Sequence, residues 1–300
     1  MKFPNLFNVK VLKKFTSTKD VSNPATNEIN ALKRQVSRLR GPNHVAYREE
    51  EAYRLYKGKR LINIGAGTFH HRHWTNLDVS SDHYDAMRKH EHVEYNIMTD
   101  KGLPFEDESV ALAYTSHTIE HVKDNFIQDM FVEVYRTLEP GGIFRITCPD
   151  ADLFYHAMKL NNFERFFCRR KTWFEKHGFD KEKVVGLDYL KMAFATAMTS
   201  GPIYLGNDQE KWNEIKNKFL RLEKEDFLDF LTSQVDFSIN RIGAHINWWT
   251  HKKAETFLRR AGFNDIRYSS YGGSLAAPMC DINHFDNTHP DESLYVEAYK

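Results

Sequence analysis

Hydrophobic and polar positions divide the chain into stretches of different rhythm. Residues 1 to about 26 mix Lys, Ser, Thr, Asn and Pro without periodicity and predict an irregular arm. Over 27 to 40, Ile29, Leu32, Val36 and Leu39 fall at spacings of three and four, one face of a helix that Gly41-Pro42 stops. A second short helix is predicted over about 45 to 56. From residue 60 the rhythm becomes an alternation of short apolar runs and helical ones. Arg60–Ile64, Asn76–Asp78, Val93–Ile97, Val110–Tyr114 and Gly142–Cys148 read as strands. Residues 124 to 138 read as an amphipathic helix with Ile127, Phe131, Val134 and Leu138 on one face. Asp124 is its expected cap, and Glu139-Pro-Gly-Gly142 ends it.

The strand rhythm disappears from 154 to about 245, where the pattern is helical, interrupted by Gly178, Gly186, Ser200-Gly201-Pro202 and Gly206. It returns with a helix from Thr250 to Arg260, stopped at Ala261-Gly262, and two last strands at Asp265–Ser269 and Ser293–Tyr299. Strands alternating with helices predict an α/β protein, a mostly parallel sheet of seven strands covered on both faces. The expected divisions are an N-terminal helical extension over 1–59, a ligand-binding sheet over 60–153, a helical insertion over 154–245 and a return to the sheet over 246–300. Such sheets bind ligands beyond the carboxyl ends of their strands, where the strand order reverses.

Composition narrows the classes. Apolar content of 41% and charged content of 28% are those of a globular chain able to bury a sizeable core. Lys and Arg number 42 against 41 Asp and Glu, a balance that argues against a surface built as a whole to grip nucleic acid. The three cysteines, Cys148, Cys168 and Cys280, are odd in number and lack CxxC spacing, so neither a disulfide framework nor a zinc–thiolate site is expected. The first residues have no continuous apolar core of a signal peptide, and no apolar run approaches the roughly 18 residues of a membrane span. These features predict a soluble, cytoplasmic protein.

The first strand runs into Gly65-Ala66-Gly67. Glycine there permits positive φ and lets a ligand approach the backbone. The third glycine of the dinucleotide fingerprint is absent, which disfavours NAD. Asp78 ends the next strand, where a carboxylate can accept hydrogen bonds from both hydroxyls of a ribose. Further on stand Leu103-Pro-Phe-Glu-Asp-Glu-Ser-Val110, the run Ser116-His-Thr-Ile-Glu-His121, and a run from Glu133 through Gly141-Gly-Ile-Phe-Arg-Ile146 to Pro149-Asp150. These segments, in this order and at these distances, resemble the class I methyltransferases. Within that class they are similar to small proteins with "SHTIEH" and "GGIFRI…PD" segments found in bacterial surface-polysaccharide gene sets. The resemblance covers about 60–152 and 245–300 and not the insertion.

The resemblance implies a Rossmann-like sheet and S-adenosylmethionine as cofactor. It implies that Gly65, Ala66 and Gly67 line the methionine and ribose part of the cofactor, and that Asp78 binds the ribose hydroxyls. Adenine would lie on the loop after the third strand, against Asn96 or Asp100, and Ser116 and His117 would sit beside the methionine end. One departure stands out. Only ten residues separate Gly67 from Asp78, too few for a full helix and a strand, so the first crossover helix is short or absent. His70, His71 and His73 are then left near the pocket rim.

A sulfonium methyl is already activated, so the main task is to align an acceptor with it. For a hydroxyl acceptor a general base helps. The candidates at the strand ends are His117, His121, Asp150 and Asp152; histidine is the better matched near neutrality, which favours His121 with Asp150 orienting it or the substrate. Asp150 reads equally as the cap of the helix after it, and Glu120 as a solvated carboxylate at a helix start. His117 and His121, at i and i+4, could share a metal with His70, His71 or His73, but no acidic pattern for magnesium follows the fourth strand, and a metal-independent reaction is expected. Trp248 or Trp249 could stack on a sugar or simply fill the core. Phe163 to Trp173 interleaves basic and aromatic residues, as a phosphate-binding surface or an ordinary charged helix face would. The expected activity is methylation of a small-molecule or glycan hydroxyl. The alternatives are a nucleic-acid methyltransferase working through Arg169-Arg170-Lys171, or a binding module on the same fold that has lost catalysis.

Overall fold

The computed structural model describes residues 47–80, 90–162, 164, 186–196, 209–238 and 243–300. The expected arm and helix over 1–40, the basic segment Arg169-Arg170-Lys171 with Cys168, and the breaks at Gly178, Ser200–Pro202 and Gly206 lie outside the described residues. Helix α1 is a single turn, Glu49–Ala52, followed by a 3-10 turn at Arg54–Tyr56, so the expected helix over 45–56 is two short pieces.

The strands are β1 (Arg60–Ile64), β2 (Thr75–Asp78), β3 (Val93–Glu94), β4 (Val110–Ser116), β5 (Leu138–Pro149), β6 (Asp265–Tyr268) and β7 (Ser293–Tyr299). They form one sheet in the order β3-β2-β1-β4-β5-β7-β6. Neighbours from β3 to β5 are parallel, and β7 runs antiparallel between β5 and β6. The chain winds outward from β1 to β3, then returns to place β4 on the other side of β1. The strand order therefore reverses between β1 and β4, and the loops after these two strands diverge there, which opens a crevice.

Both faces of the sheet are covered, which is why β1 and β4 are apolar almost without alternation. On one face Ile62, Ile64, Ala113, Phe144 and Ile146 pack against α2 (Asp124–Thr137) and, later in the chain, the helix His251–Ala261. On the other, Leu61, Leu112 and Tyr114 meet Trp74, Met279 and Phe285. The described part of the insertion contributes α3 (Ala151–Lys159), α4 (Gly186–Phe194), α5 (Gln209–Arg221) and α6 (Lys224–Ser233). These gather a separate apolar cluster around Phe154, Leu190, Phe194, Phe227 and Trp248. The last helix, α7, is His251–Ala261; Thr250 caps it and Gly262, at φ 114°, ends it. Among the described residues no helix is long and apolar enough to cross a membrane.

Four local expectations need correction. The third strand stops at Glu94 rather than Ile97, because the chain turns at Asn96: its Oδ1 accepts the Met98 N–H and its own N–H donates to Asp100. Asp124 is the first residue of α2 and not its cap; its carboxylate is taken by Asn247 and Lys253. The fifth strand begins at Leu138, with a register shift before Ile143 that absorbs the Pro-Gly-Gly turn. Gly186 opens α4 rather than interrupting a helix. The short crossover holds: residues 65–74 contain no helix.

One buried charge network anchors the return of the chain to the sheet. Arg145, fully buried on β5, donates through Nε and Nη2 to Asp286, through Nη1 to Glu297 and Ser269, and through Nη2 to the Ser270 carbonyl. All its N–H groups are thus used, the condition under which a buried guanidinium is tolerable. Tyr114 joins by donating to Asp286. The network holds the 269–289 segment over the end of β4. We expect Asp286→Ala to cost about 3–5 kcal/mol of stability, the usual cost of leaving one buried partner unpaired, read as a lower urea midpoint with an unchanged slope. A loss within experimental error would mean that Glu297 alone satisfies Arg145.

Candidate functional site

Two cavities open at the reversal point and share Gly65 and His117. The first runs from Gly65 past Asp78 and Val79 to Tyr95–Met98, and is closed by Thr118, His121, Val122 and, from the insertion, Phe237. The second lies where a crossover helix would stand. It is bordered by Asn63, the Ala66–His70 loop, Ser116 and Asn283, His284, Asn287 and Thr288.

Backbone geometry builds the junction. Gly65 and Gly67 have φ of 68° and 54°, the left-handed region that glycine enters without strain. A Cβ on Gly65 would overlap the side chain of Thr118, whose hydroxyl donates to the Gly65 carbonyl at 3.1 Å. Asp78 sits at the end of β2 and is only 8% exposed. It accepts the Gly67 N–H at 2.5 Å and the Val79 N–H at 2.7 Å, so the acid also shapes the glycine turn.

The candidate residues are thus partly united. Gly65, Asp78, Asn96, His117 and His121 border the first cavity; Gly65, Ala66, Gly67, Ser116 and His117 border the second. Asp100 borders neither; it fixes the turn by accepting the Asn96 N–H at 2.8 Å. Asp150 is the N-cap of α3, accepting from the Asp152 and Leu153 N–H groups, and burial raises its pKa. The structure does not bring it to His121, so its observed part is the capping one. Asp152 pairs with Lys224. His70 reaches the second cavity, but His71 and His73 turn away to Tyr53 and Glu49; burial lowers the His71 imidazole to about 4. Trp248 and Trp249 are core residues whose indole N–H groups donate to Asp229 and the Ile119 carbonyl, so neither offers a face to a sugar.

Two residues carry more than the sequence pattern suggests. Glu120, expected on the surface, is fully buried. Burial acts to raise its carboxyl, but His117, His121 and His245 around it outweigh this and hold it near 2, so it is ionised at neutral pH. His245, far away in sequence, arrives because the Ile246 and Asn247 N–H groups both donate to the Glu120 carbonyl. Burial lowers its imidazole to about 4. The pairing of a buried acid with a distant histidine leaves no local spacing to read; the only hint was the repeated acid–histidine chemistry of Glu120-His121.

Residues 63–146 match a family model described as a methyltransferase domain. This stretch runs from the end of β1 through most of β5, with the glycine turn, Asp78 and the Ser116–His121 run. The strand order with its one reversed β7 is the other half of the observation. The fold is the Rossmann-like fold of the class I methyltransferases. Its cofactor is S-adenosylmethionine, and the residues present fit that molecule: a side-chain-free turn at Gly65, a carboxylate at Asp78, and an apolar wall at Tyr95, Ile97 and Met98.

Solved structures resemble the chain at low identity. A methyltransferase from Thermotoga maritima, described as a possible histamine N-methyltransferase, is 14% identical over 91% of this chain and 96% of its own, with a TM-score of 0.36. An S-adenosylmethionine-dependent methyltransferase from Mesorhizobium loti is 15% identical over 81% and 91%, at a TM-score of 0.37. One from Archaeoglobus fulgidus is 10% identical over 93% and 100%, at 0.38. No curated protein matches the chain.

Asp78→Ala should weaken S-adenosylmethionine binding roughly 10- to 100-fold in isothermal titration, the effect of losing charge-assisted hydrogen bonds to the ribose. An unchanged affinity would place the ribose elsewhere. Gly65→Ala, which forces a side chain into Thr118 at positive φ, should lower both the melting temperature and cofactor affinity. A variant with parent-like stability and affinity would show that the turn relaxes freely.

Proposed function

We propose that this chain is an O-methyltransferase whose acceptor is a hydroxyl of a sugar or similar polyhydroxylated small molecule. The observation that carries this reading is the union of two unlike cavities at Gly65 and His117. In it, the cofactor's adenosine occupies the first cavity, with the ribose on Asp78 and adenine between Tyr95 and Met98. Asn96 rather than Asp100 then faces the base. Bound there, S-adenosylmethionine supplies a methyl group on a positively charged sulfur, ready for direct transfer.

The remaining work belongs to this chain's residues. The second cavity carries amide, hydroxyl and imidazole groups from Asn63, Thr68, His70, Ser116, Asn283 and Asn287, the donors and acceptors that suit a polyhydroxyl ligand. Asn63 is buried and its Oδ1 has no hydrogen-bond partner, so a ligand hydroxyl would satisfy it. His117 and His121, at the junction, act on the acceptor: they hold its oxygen toward the methyl and relieve it of its proton as the new bond forms. Asp150 has no part in this beyond supporting α3. The acceptor's membership in surface-glycan chemistry rests on the likeness of the Ser116–His121 and Gly141–Asp150 segments alone.

The test is transfer of labelled methyl from S-adenosylmethionine to a panel of free sugars, nucleotide sugars and oligosaccharides, with RNA and protein in parallel. Label on a sugar hydroxyl is expected. Label on RNA would favour a nucleic-acid enzyme, and none on any acceptor, with cofactor bound, a binding module. His121→Ala should lower turnover on the acceptor about 100-fold or more while leaving cofactor affinity nearly unchanged. Equal loss of both would make His121 a structural residue.

A further inference from the structure

The groups around Glu120 form a cluster of carboxylate and imidazole side chains of the kind that ligates metal ions. The fully buried carboxylate of Glu120 meets His117 Nδ1 at 3.1 Å from Oε1, while its Oε2 has no hydrogen-bond partner among the described residues. Three imidazoles surround it, and two of them donate to backbone carbonyls. His121 donates through Nδ1 to the Ala244 carbonyl at 3.1 Å. His245 donates through Nδ1 to the Ala193 carbonyl at 2.5 Å. His117 Nε2 lies 2.8 Å from Ser293 Oγ, whose hydroxyl is also within reach of the Thr288 and His289 carbonyls. A neutral imidazole with one nitrogen protonated has a lone pair on the other. Neutral His121 and His245 therefore keep a lone pair on Nε2, the nitrogen left free to bind a ligand. His117 Nδ1 is 3.1 Å, and His121 Nε2 3.9 Å, from Glu120 Oε1.

A buried carboxylate flanked by two imidazole lone pairs is a set of ligands suited to a cation. We infer that Glu120, His121 and His245 bind a divalent transition-metal ion, with His117 beside it as a further ligand. The three residues offer ligand atoms all within 4.8 Å of one another. Ligands about 2.1 Å from a tetrahedral ion stand roughly 3.4 Å apart, so modest side-chain closure completes the site. Backbone carbonyls on the far nitrogens of His121 and His245 are the outer supports that metal-bound histidines use to hold their tautomer and orientation. Two imidazoles and one carboxylate favour ions such as Zn²⁺, Co²⁺ or Mn²⁺ over Mg²⁺ or Ca²⁺, and leave positions open.

Because His117 and His121 also line the cofactor cavity, those open positions face the cavity junction. The ion would therefore take an oxygen of the acceptor, most readily a pair of neighbouring hydroxyls. That role rests on the proposed methyl transfer; the site itself does not. With the ion bound, Nε2 of His121 would be engaged as a ligand, so His121 would act by holding the ion rather than by taking the acceptor's proton.

The test is titration of the chelator-treated full chain with Co²⁺, followed by visible absorption, beside calorimetry with S-adenosylmethionine. One Co²⁺ per chain at Glu120 is expected, displaced by Zn²⁺, with Glu120→Gln and His245→Gln each weakening it roughly 100-fold or more. His284→Gln, in the separate His71–Asp281–His284 group, should keep it. If Glu120→Gln fails to fold, the partly exposed His245→Gln decides alone. Failure of the parent to bind Co²⁺, Zn²⁺ or Mn²⁺, or Co²⁺ binding undisturbed in a folded His245→Gln, would overturn the site. Metal binding without cofactor binding would instead keep the site and remove the methyltransferase reading.

Discussion

The structure turns on the contact between Gly65 and Thr118. Two parallel neighbours, β1 and β4, end side by side, and the chain must leave them in different directions. Gly65 does so at positive φ, and Thr118 fills the space that any other side chain would need. The Thr118 hydroxyl fastens the two turns by donating to the Gly65 carbonyl, while the Gly65 and Ala66 N–H groups donate to Leu77 of β2. Three strand ends are thereby held in one place. The crevice between them is a direct consequence of strand order, and its floor is backbone because a glycine stands there.

From that contact the chemistry is distributed by short chains of hydrogen bonds. On one side, Asp78 closes the glycine turn and faces the cavity at the same time, so the proposed cofactor contact and the loop's shape share a carboxylate. On the other, the 3-10 turn at Ile119–His121 carries Glu120 into the interior, and its carbonyl recruits the segment that brings His245. The Arg145–Asp286–Glu297 network does the same work at the far edge, pinning the loop that supplies Asn283 and Asn287. Each of these is a buried charge, and each is placed where a loop has to be held to the sheet without a helix to hold it.

Strands β1, β4 and β7 and helices α2 and α7 were legible because their periodicity or continuous apolarity is a local property. The missing crossover helix was legible as well, from the ten residues between Gly67 and Asp78. Turns were read less well: β3 is cut short by side-chain bonds at Asn96 that no hydrophobic pattern records. The candidate site divides along the same line. Gly65, Asp78 and His117 could be placed because each ends a strand. Glu120 was misread because the charge of a side chain says nothing of whether distant imidazoles await it. His245 was not read as a site residue, since its place beside Glu120 depends on a contact across more than a hundred residues. Asp150 was read both as a catalytic partner and as a cap, and the cap is what its hydrogen bonds show.

We propose that the crevice at Gly65 holds the cofactor, with His117 where its methyl end meets the acceptor. A crystal structure with S-adenosylhomocysteine addresses this most directly. The ribose hydroxyls are expected on the Asp78 carboxylate, adenine against Tyr95–Met98, and the sulfur beside Gly65 and His117. Density for the ligand anywhere else, or none at saturating concentration, would contradict it.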